Sequence, residues 1–206
     1  MDFATFALSQ LPGPPARVLE VGCGEEGGVT PALVQAGYDT LAVDPRAPAG
    51  ARYRRLRFQE LRDESYDAVV AERVLHHVHP LDDSLDKLAE LAPLLVLDEF
   101  AWNRIDEPTR RWYEERHREL TSNGKEPKGP ADLEEWRGKW AGLHPADVLR
   151  RALVTRYDER VYEPRAYLYR WLGEETEALE AELVAAATIQ PVGFRWVGVR
   201  LDRFSP

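Results

Sequence analysis

Short hydrophobic runs alternate with amphipathic segments through the first half of the chain. Runs bounded by turn-forming residues predict strands at 16–21, 39–43, 53–58, 66–71 and 93–98. One helix is predicted at 2–10, with Asp2 as its cap, and two more are predicted at 30–37 and at 83–91. This alternation is typical of a parallel sheet with helices on both faces, so the sequence predicts an α/β fold with a doubly wound sheet.

The second half of the chain has a different pattern, with more charged helices and fewer strands. Helices are predicted at 107–120, 131–140, 145–153 and 174–187, and strands at 157–163 and 193–201. The segment 121–130 is rich in Gly, Pro, Lys and Asn, which predicts a mobile loop. We expect a single domain over 1–206.

Composition limits the classes of partner. The 206 residues carry a net charge of −9, which disfavours nucleic acid as a partner because phosphate binding needs clustered Lys and Arg. Cys23 is the one cysteine, so no internal disulfide is possible and a reducing compartment is expected. The first residues do not resemble a signal peptide, and no apolar run has membrane-spanning length. We therefore expect a cytoplasmic protein with no membrane partner.

A glycine-rich turn follows the first predicted strand and is the strongest chemical signal in the chain. Gly22, Gly24 and Gly27 satisfy G-x-G-x-x-G, and Asp44 ends the next predicted strand. A strand, a glycine loop, a helix and a strand ending in an acid are the parts of a pocket for a ribose-bearing cofactor. Taken alone, the spacing permits a nicotinamide or flavin enzyme.

Glu20, two residues before the first glycine, distinguishes between the cofactors. Its carboxylate would lie beside the anionic pyrophosphate of a dinucleotide, which is unfavourable in a partly buried site. The same carboxylate suits a sulfonium cofactor that carries an α-ammonium group. A purely structural interpretation also exists, in which Glu20 is an N-cap-like acid that holds loop amides.

Three segments together resemble a known family, the class I S-adenosylmethionine-dependent methyltransferases. Residues 18–24 (VLEVGCG) resemble its first motif, and 41–45 (LAVDP) resemble the second, whose acid binds the ribose hydroxyls. Residues 66–78 (YDAVVAERVLHHV) are similar to the fourth strand and following loop of its small-molecule branch. The resemblance covers roughly 16–100. It implies a Rossmann-like sheet, mostly parallel with an antiparallel last strand, and S-adenosylmethionine as cofactor with S-adenosylhomocysteine as product.

The resemblance also implies which side chains contact the cofactor. These residues are Glu20, Gly22, Cys23, Gly24, Asp44, Pro45, Phe58, Gln59 and Glu72. Asp44 with Pro45 has a simpler interpretation as the start of a turn. Two departures from the family pattern stand out: Glu26 occupies the position of the usual third glycine, and the fifth strand follows Ala92-Pro93 in place of Pro-Gly-Gly.

Candidates for chemistry follow the fourth and fifth predicted strands, because ligands bind at the carboxyl ends of strands in open α/β sheets. His77, His76 or Glu99 is predicted to act as a general base if the acceptor must lose a proton. Helix-capping or surface roles are the simpler alternatives for the histidines, and an ion pair with an arginine is the alternative for Glu99. Predicted substrate contacts are made by Trp102, Asn103 and Tyr113. No spacing of histidines with carboxylates or cysteines predicts a metal site.

We therefore expect methyl transfer to an oxygen or nitrogen nucleophile of a small-molecule acceptor. A helical cap over 101–170 is expected to select the acceptor, and 171–206 to supply a closing helix and the last strand. Two other classes stay open from sequence. One is a non-catalytic binding protein with the methyltransferase fold, and the other is an NAD(P)-dependent oxidoreductase, which the literal glycine spacing permits.

Overall fold

A computed structural model describes residues 1–62 and 64–202 of the chain. The strands are β1 (Arg17–Val21), β2 (Asp39–Val43), β3 (Tyr53–Arg54), β4 (Ala68–Glu72), β5 (Leu94–Phe100), β6 (Tyr157–Arg165) and β7 (Gly193–Arg200). The helices are α1 (Phe3–Gln10), α2 (Thr30–Gln35), α3 (Leu81–Leu91), α4 (Glu107–Ser122), α5 (Leu133–Arg137), α6 (Ala146–Val154), α7 (Tyr169–Leu172) and α8 (Glu177–Ala185). Most of these elements begin and end close to the residues that the hydrophobic pattern indicates.

The seven strands form one sheet in the order β3-β2-β1-β4-β5-β7-β6. Strands β3, β2, β1, β4 and β5 pair in parallel. The last strand runs antiparallel to β5, since Arg200 N donates to the Pro93 carbonyl and Ala101 N donates to the Val192 carbonyl. The predicted fold class, a mostly parallel Rossmann-like sheet with an antiparallel last strand, is confirmed.

The strand order reverses between β1 and β4, and the loops that follow these parallel strands lie at the carboxyl ends of the strands. Chain connections from β1 and β4, which are neighbours in the sheet, leave it in opposite directions. Ligands of open α/β sheets bind at such a switch point, at the carboxyl ends of the strands. The glycine loop after β1 and the histidine-containing loop after β4 therefore lie at the carboxyl ends of the strands, where a ligand is expected.

The chain divides into two compact units. The first contains residues 1–62, 64–99, 147–162 and 195–202, and the second contains 100–146 and 163–194. The core of the first unit includes Phe3, Phe6, Val18, Leu33 and Val70. The core of the second unit includes Phe100, Tyr113, Leu120, Trp140, Tyr167 and Leu168. The predicted cap over 101–170 and closing segment over 171–206 stay predictions. The two compact units are divided differently, since residues 147–162 belong to the first unit.

Local capping explains several helix boundaries. Asp2 caps α1 as predicted, because its carboxylate accepts a hydrogen bond from Thr5 N over 2.7 Å.

The predicted third strand over 53–58 is wrong beyond Arg54. The chain turns there, with Leu56 N donating to the Arg54 carbonyl, and a 3-10 turn follows at Phe58–Glu60. An edge strand has one neighbour, so few ladder hydrogen bonds oppose such an early end.

Candidate cofactor site

The loop after β1 begins at Gly22, where the backbone has a positive φ of 82°. The Gly22 amide donates to the Val43 carbonyl at the end of β2 over 2.8 Å. A Cβ on Gly22 would overlap Cγ2 of Val74, a residue of the loop after β4. Glycine is required here both by the left-handed backbone and by the close approach of a side chain from the neighbouring loop.

The Glu20 carboxylate holds the far end of the same loop. Glu20 is 3% exposed, and it accepts hydrogen bonds from Val29 N over 2.8 Å, from Thr30 N over 2.7 Å and from the Thr30 hydroxyl over 2.7 Å. Gly28 passes so close that a Cβ there would overlap this carboxylate. The geometry is that of the structural interpretation, an acid that holds loop amides. Direct contact between Glu20 and a cofactor stays a prediction.

Burial is the largest influence on the ionisation of Glu20. It raises the pKa of this carboxyl, and the negative charge of Glu72 adds to the rise. The hydrogen bonds from Thr30 and Val29 act in the opposite direction, because they favour the ionised form. The site thus contains two neighbouring acids whose mutual repulsion a positively charged ligand would relieve.

Asp44 follows β2 directly and lies beside the glycine loop, since β1 and β2 are paired through Val21 and Val43. Its Oδ1 accepts a hydrogen bond from Arg46 N over 2.7 Å, so Asp44 does begin a turn. The side chain is 13% exposed, and within the described residues its Oδ2 accepts no hydrogen bond. One carboxylate oxygen is therefore available to an incoming hydroxyl group.

The pKa of the Cys23 thiol is affected by burial and by two nearby carboxylates. Burial raises the pKa of the thiol to about 12, and the charges of Glu20 and Asp44 contribute to the rise. The thiol is therefore neutral at physiological pH, and it packs with Ala42, Ala47 and Tyr53. The carboxylates of Glu20 and Asp44 thus both lie near enough to act on this one thiol.

Gly24 leaves open space beside the glycine loop. Gly24 has a φ of +61°, and a Cβ placed on it would meet no atom within 4 Å. Gly24 is partly exposed and follows Cys23, on which the Glu20 and Asp44 carboxylates act. Such a setting suits a cationic group and disfavours a pyrophosphate. The residues present therefore fit a sulfonium cofactor, and a contact between Asp44 and its ribose hydroxyls stays a prediction.

The other predicted cofactor contacts are spread over three loops. Pro45 is exposed after Asp44, and Glu72 ends β4 with its carboxylate 3.8 Å from Arg73 Nε. Phe58 is buried, and Gln59 Nε2 donates to the Ser84 hydroxyl over 3.0 Å. The predicted cofactor contacts by Phe58 and Gln59, like those by Pro45 and Glu72, stay predictions.

The loop after β4 is attached to β5 through Glu99, which is fully buried. Glu99 Oε1 accepts hydrogen bonds from Val74 N over 2.9 Å and from Leu75 N over 2.6 Å. Its Oε2 lies 2.6 Å from Nδ1 of His76, a histidine that is only 4% exposed. Burial opposes ionisation of Glu99, but His76 and the two amides outweigh it and lower its pKa. The ionised carboxylate is thus the stable form.

His77 differs from His76 because its side chain is exposed. The two imidazole rings are tilted, with their centroids 4.1 Å apart. Partial burial lowers the pKa of His77, and the adjacent His76 lowers it further, while Glu99 has the opposite influence. His77 is therefore neutral at pH 7 and accessible, whereas His76 is held by a buried carboxylate.

The predicted substrate contacts lie in the second unit and have structural partners there. Trp102 Nε1 donates to the His144 carbonyl over 3.2 Å, and Asn103 Oδ1 accepts from Ala146 N over 2.9 Å. Tyr113 is fully buried, and its hydroxyl donates to the Pro130 carbonyl over 2.8 Å. These bonds stabilise the unit itself, and a role for the three residues in substrate binding stays a prediction.

Sequence reasoning missed two residues that organise the site. Thr30 is the first residue of α2, and its amide and hydroxyl both donate to the Glu20 carboxylate. Val74 carried no signal of its own, although it packs on Gly22. The adjacent glycines were the available signal, because a glycine at a fixed position marks either a positive φ or a close approach by another group.

Residues 1–62 and 64–202 contain no group of three or more His, Cys, Asp or Glu side chains placed to hold a metal ion. Among the same residues, no helix combines the length and the hydrophobicity of a membrane span.

Solved structures with the same fold come from several methyltransferases. A Mesorhizobium loti S-adenosylmethionine-dependent methyltransferase is 14% identical, with 96% of each chain covered and a TM-score of 0.58. The Streptomyces coelicolor geranyl diphosphate C-methyltransferase, solved with Mg2+, geranyl diphosphate and S-adenosylhomocysteine, is 12% identical. The match covers 96% of this chain and 78% of that one, with a TM-score of 0.60.

A geranyl diphosphate methyltransferase solved with geranyl diphosphate and sinefungin is 14% identical, with coverage of 96% and 76% and a TM-score of 0.61. At these identities the likeness establishes the fold. A comparison with curated proteins found no match. A family model described as a methyltransferase domain matches residues 2–151, so the chain belongs to the methyltransferase-domain family, whose cofactor is S-adenosylmethionine.

Proposed function

We propose that this protein transfers a methyl group from S-adenosylmethionine to an oxygen or nitrogen nucleophile of a small-molecule acceptor. The single observation that carries the proposal is the group of carboxylates around the glycine loop. Glu20 and Asp44 both act on the Cys23 thiol, and Glu72 acts on Glu20. This excess of negative charge favours a cationic ligand over a dinucleotide.

In this proposal, different residues of the first unit bind different parts of S-adenosylmethionine. Asp44 has an available carboxylate oxygen for the ribose hydroxyls. Gly24 exposes its backbone, and the negative potential of Glu20 and Glu72 favours the ammonium and sulfonium groups. When bound, S-adenosylmethionine supplies an electrophilic methyl group on a positively charged sulfur.

His77 is the proposed general base. Its lowered pKa keeps the imidazole neutral at pH 7, and its side chain is exposed. As the acceptor's lone pair forms the new bond to the methyl carbon, the carbon–sulfur bond breaks and its electrons stay on sulfur. The imidazole of His77 takes the proton that the acceptor loses, either from a hydroxyl as its oxygen attacks or from the nitrogen of a neutral amine after that nitrogen has gained the methyl group. His76, bound through Nδ1 to Glu99, is held as a fixed neighbour of the base.

Calorimetric titration with S-adenosylhomocysteine tests the cofactor assignment. We expect wild type to bind, and Asp44→Ala to bind at least about tenfold more weakly, because it loses a charge-assisted hydrogen bond. Asp39→Ala is the matched control, since Asp39 starts the same strand and its side chain is 71% exposed. No binding by wild type at high micromolar ligand would refute the proposal.

The acceptor class is tested by transfer of a radiolabelled methyl group. Catechol and histamine serve as small oxygen and nitrogen nucleophiles, and single-stranded RNA serves as a macromolecular alternative. We expect label in a small-molecule product, with His77→Gln lowering kcat while the affinity for S-adenosylhomocysteine is unchanged. Label found only in RNA would exclude the small-molecule assignment.

A further inference from the structure

We propose that Glu99 is a positioning residue for the cofactor site, and that it acts through Val74 on the glycine loop. The inference rests on the proposed use of S-adenosylmethionine. It assigns Glu99 a different task from the direct catalytic one that the sequence predicts. A fully buried carboxylate that binds backbone amides acts on the site through those amides.

The first step is the attachment of the β4 loop to β5. Glu99 Oε1 accepts from two consecutive amides, Val74 N and Leu75 N, and Oε2 faces His76 Nδ1. Hydrogen bonds to a charged acceptor are the strong ones, and burial removes the competition from water. The carboxylate therefore fixes the position of three consecutive residues.

The second step is the shape of the chain just before these residues. Arg73 has a φ of +57°, a left-handed conformation that is unfavourable for a side chain with a Cβ. Its amide donates to the Asp98 carbonyl over 2.8 Å. Two consecutive residues of β5, Asp98 and Glu99, thus hold the chain on both sides of the turn. Val74 is the residue that directly follows this left-handed position.

The third step is the contact between Val74 and the glycine loop. Cγ2 of Val74 occupies the space that a Cβ on Gly22 would need. Gly22 is the first residue after β1, and its amide binds the Val43 carbonyl next to Asp44. Val74 therefore packs on the point where the glycine loop leaves the sheet, and its position determines how close the loop lies to the end of β4.

Three single variants and one double variant test this chain of contacts by calorimetry with S-adenosylhomocysteine. Glu99→Leu removes all the acceptor oxygens, and we expect about tenfold weaker binding. Glu99→Gln keeps an oxygen for the Val74 and Leu75 amides, and we expect affinity within about threefold of wild type. Val74→Ala removes the contact with Gly22 and weakens binding several-fold. Because Glu99 acts through Val74, the double variant Glu99→Leu/Val74→Ala binds no more weakly than Glu99→Leu alone.

A second readout needs no ligand. We expect the Gly22 amide to exchange its hydrogen faster in Val74→Ala than in wild type, because the loop loses its packing partner. Glu180→Leu is the matched control: Glu180 is also fully buried and accepts from three consecutive amides, Tyr167, Leu168 and Tyr169, in the second unit. This variant lowers the melting temperature but leaves the affinity for S-adenosylhomocysteine unchanged.

The outcomes separate this inference from the proposed function. If wild type fails to bind S-adenosylhomocysteine, the proposed function is wrong. If wild type binds and a folded Glu99→Leu variant binds within twofold of it, the positioning role is wrong. Should Glu99→Leu fail to fold, Val74→Ala decides the question, and unchanged affinity together with unchanged Gly22 exchange overturns the inference.

Discussion

Two regions of this protein use the same local arrangement in opposite electrostatic settings. In the first unit, the buried Glu20 accepts from the amides of Val29 and Thr30. In the second unit, the buried Glu180 accepts from the amides of residues 167–169. In both cases burial raises the pKa of the carboxyl, and the hydrogen bonds from the amides oppose that rise.

The two regions differ in the charge that lies nearby. Glu72 is the neighbouring charge that acts on Glu20, and it raises the pKa further. Arg165 is the neighbouring charge that acts on Glu180, and it lowers the pKa. The neighbouring charge is thus a cation at Glu180 and a second acid at Glu20, and that second acid, Glu72, lies 3.8 Å from Arg73 Nε. A buried acid whose pKa a second acid raises further is a typical feature of a functional site.

The largest expected effect is a preference between cofactors. If the first region is electronegative, S-adenosylhomocysteine binds about a hundredfold more tightly than NADH, because a pyrophosphate placed near two carboxylates is repelled. Calorimetry with the first ligand and fluorescence titration with the second measure the ratio. Comparable affinities would remove the electrostatic contrast and restore the oxidoreductase alternative.

The next effect separates stability from binding. Glu20→Ala and Glu180→Ala each leave buried amides without an acceptor, and each is expected to lower the free energy of unfolding by about 3 kcal/mol. Only Glu20→Ala also weakens S-adenosylhomocysteine binding, by about tenfold. Urea unfolding followed by calorimetry on the folded variants measures both quantities. Equal losses of affinity in the two variants would contradict the comparison.

A smaller effect comes from removing the second acid of the first region. Glu72→Gln takes away the charge that repels Glu20, so the free energy of unfolding at pH 7 rises by up to about 1 kcal/mol while cofactor affinity falls. The stabilisation is lost as the pH falls through the raised pKa of Glu20, because the protonated carboxyl feels no repulsion. Urea unfolding of wild type and Glu72→Gln at pH 7 and at pH 4 measures the change. A loss of stability at pH 7 would show that Glu72 supports the site structurally.

The smallest effect concerns the exposed histidine. Burial and His76 hold the pKa of His77 below the ordinary value of 6.5, so the folded chain binds fewer protons at this residue than the unfolded chain. The stability that His77 contributes is therefore present above pH 6.5 and is lost as the pH falls below it. Proton NMR titration of His77 measures the pKa directly, and His76→Gln is expected to raise it. A pKa above 6.5 in wild type would argue against His77 as a base that is neutral at pH 7.

The first strands show how much local pattern can predict. Strands β1 and β2 lie where the apolar runs indicate, because a strand that is buried on both faces is apolar along its length. Strand β3 is much shorter than its predicted range, because its length depends on how many residues pair with β2. The predicted helix over 174–187 also begins later as an α-helix, at Glu177, after a 3-10 turn at Glu174–Thr176.

The candidate site divides in the same way. The positions of the glycines and of Asp44 at the end of β2 were readable from sequence, since they follow from strand ends and turn chemistry. The partners of Glu20 and Glu99 were not. Glu20 binds amides nine and ten residues away, and Glu99 binds amides 24 and 25 residues away on a different strand connection. A carboxylate in a motif looks the same in sequence whether it faces a ligand or a loop.

The alternation of strands and helices, the glycine loop, the acid that follows β2 and the resemblance to a methyltransferase could all be predicted without coordinates. Those properties are local, because each depends on residue type and spacing within a short segment. Folding in three dimensions establishes the other contacts: Glu20 holds its own loop, Glu99 anchors the loop after β4, and Val74 packs on Gly22. These contacts join segments that become neighbours only when β1, β4 and β5 pair in the sheet, so no local pattern encodes them.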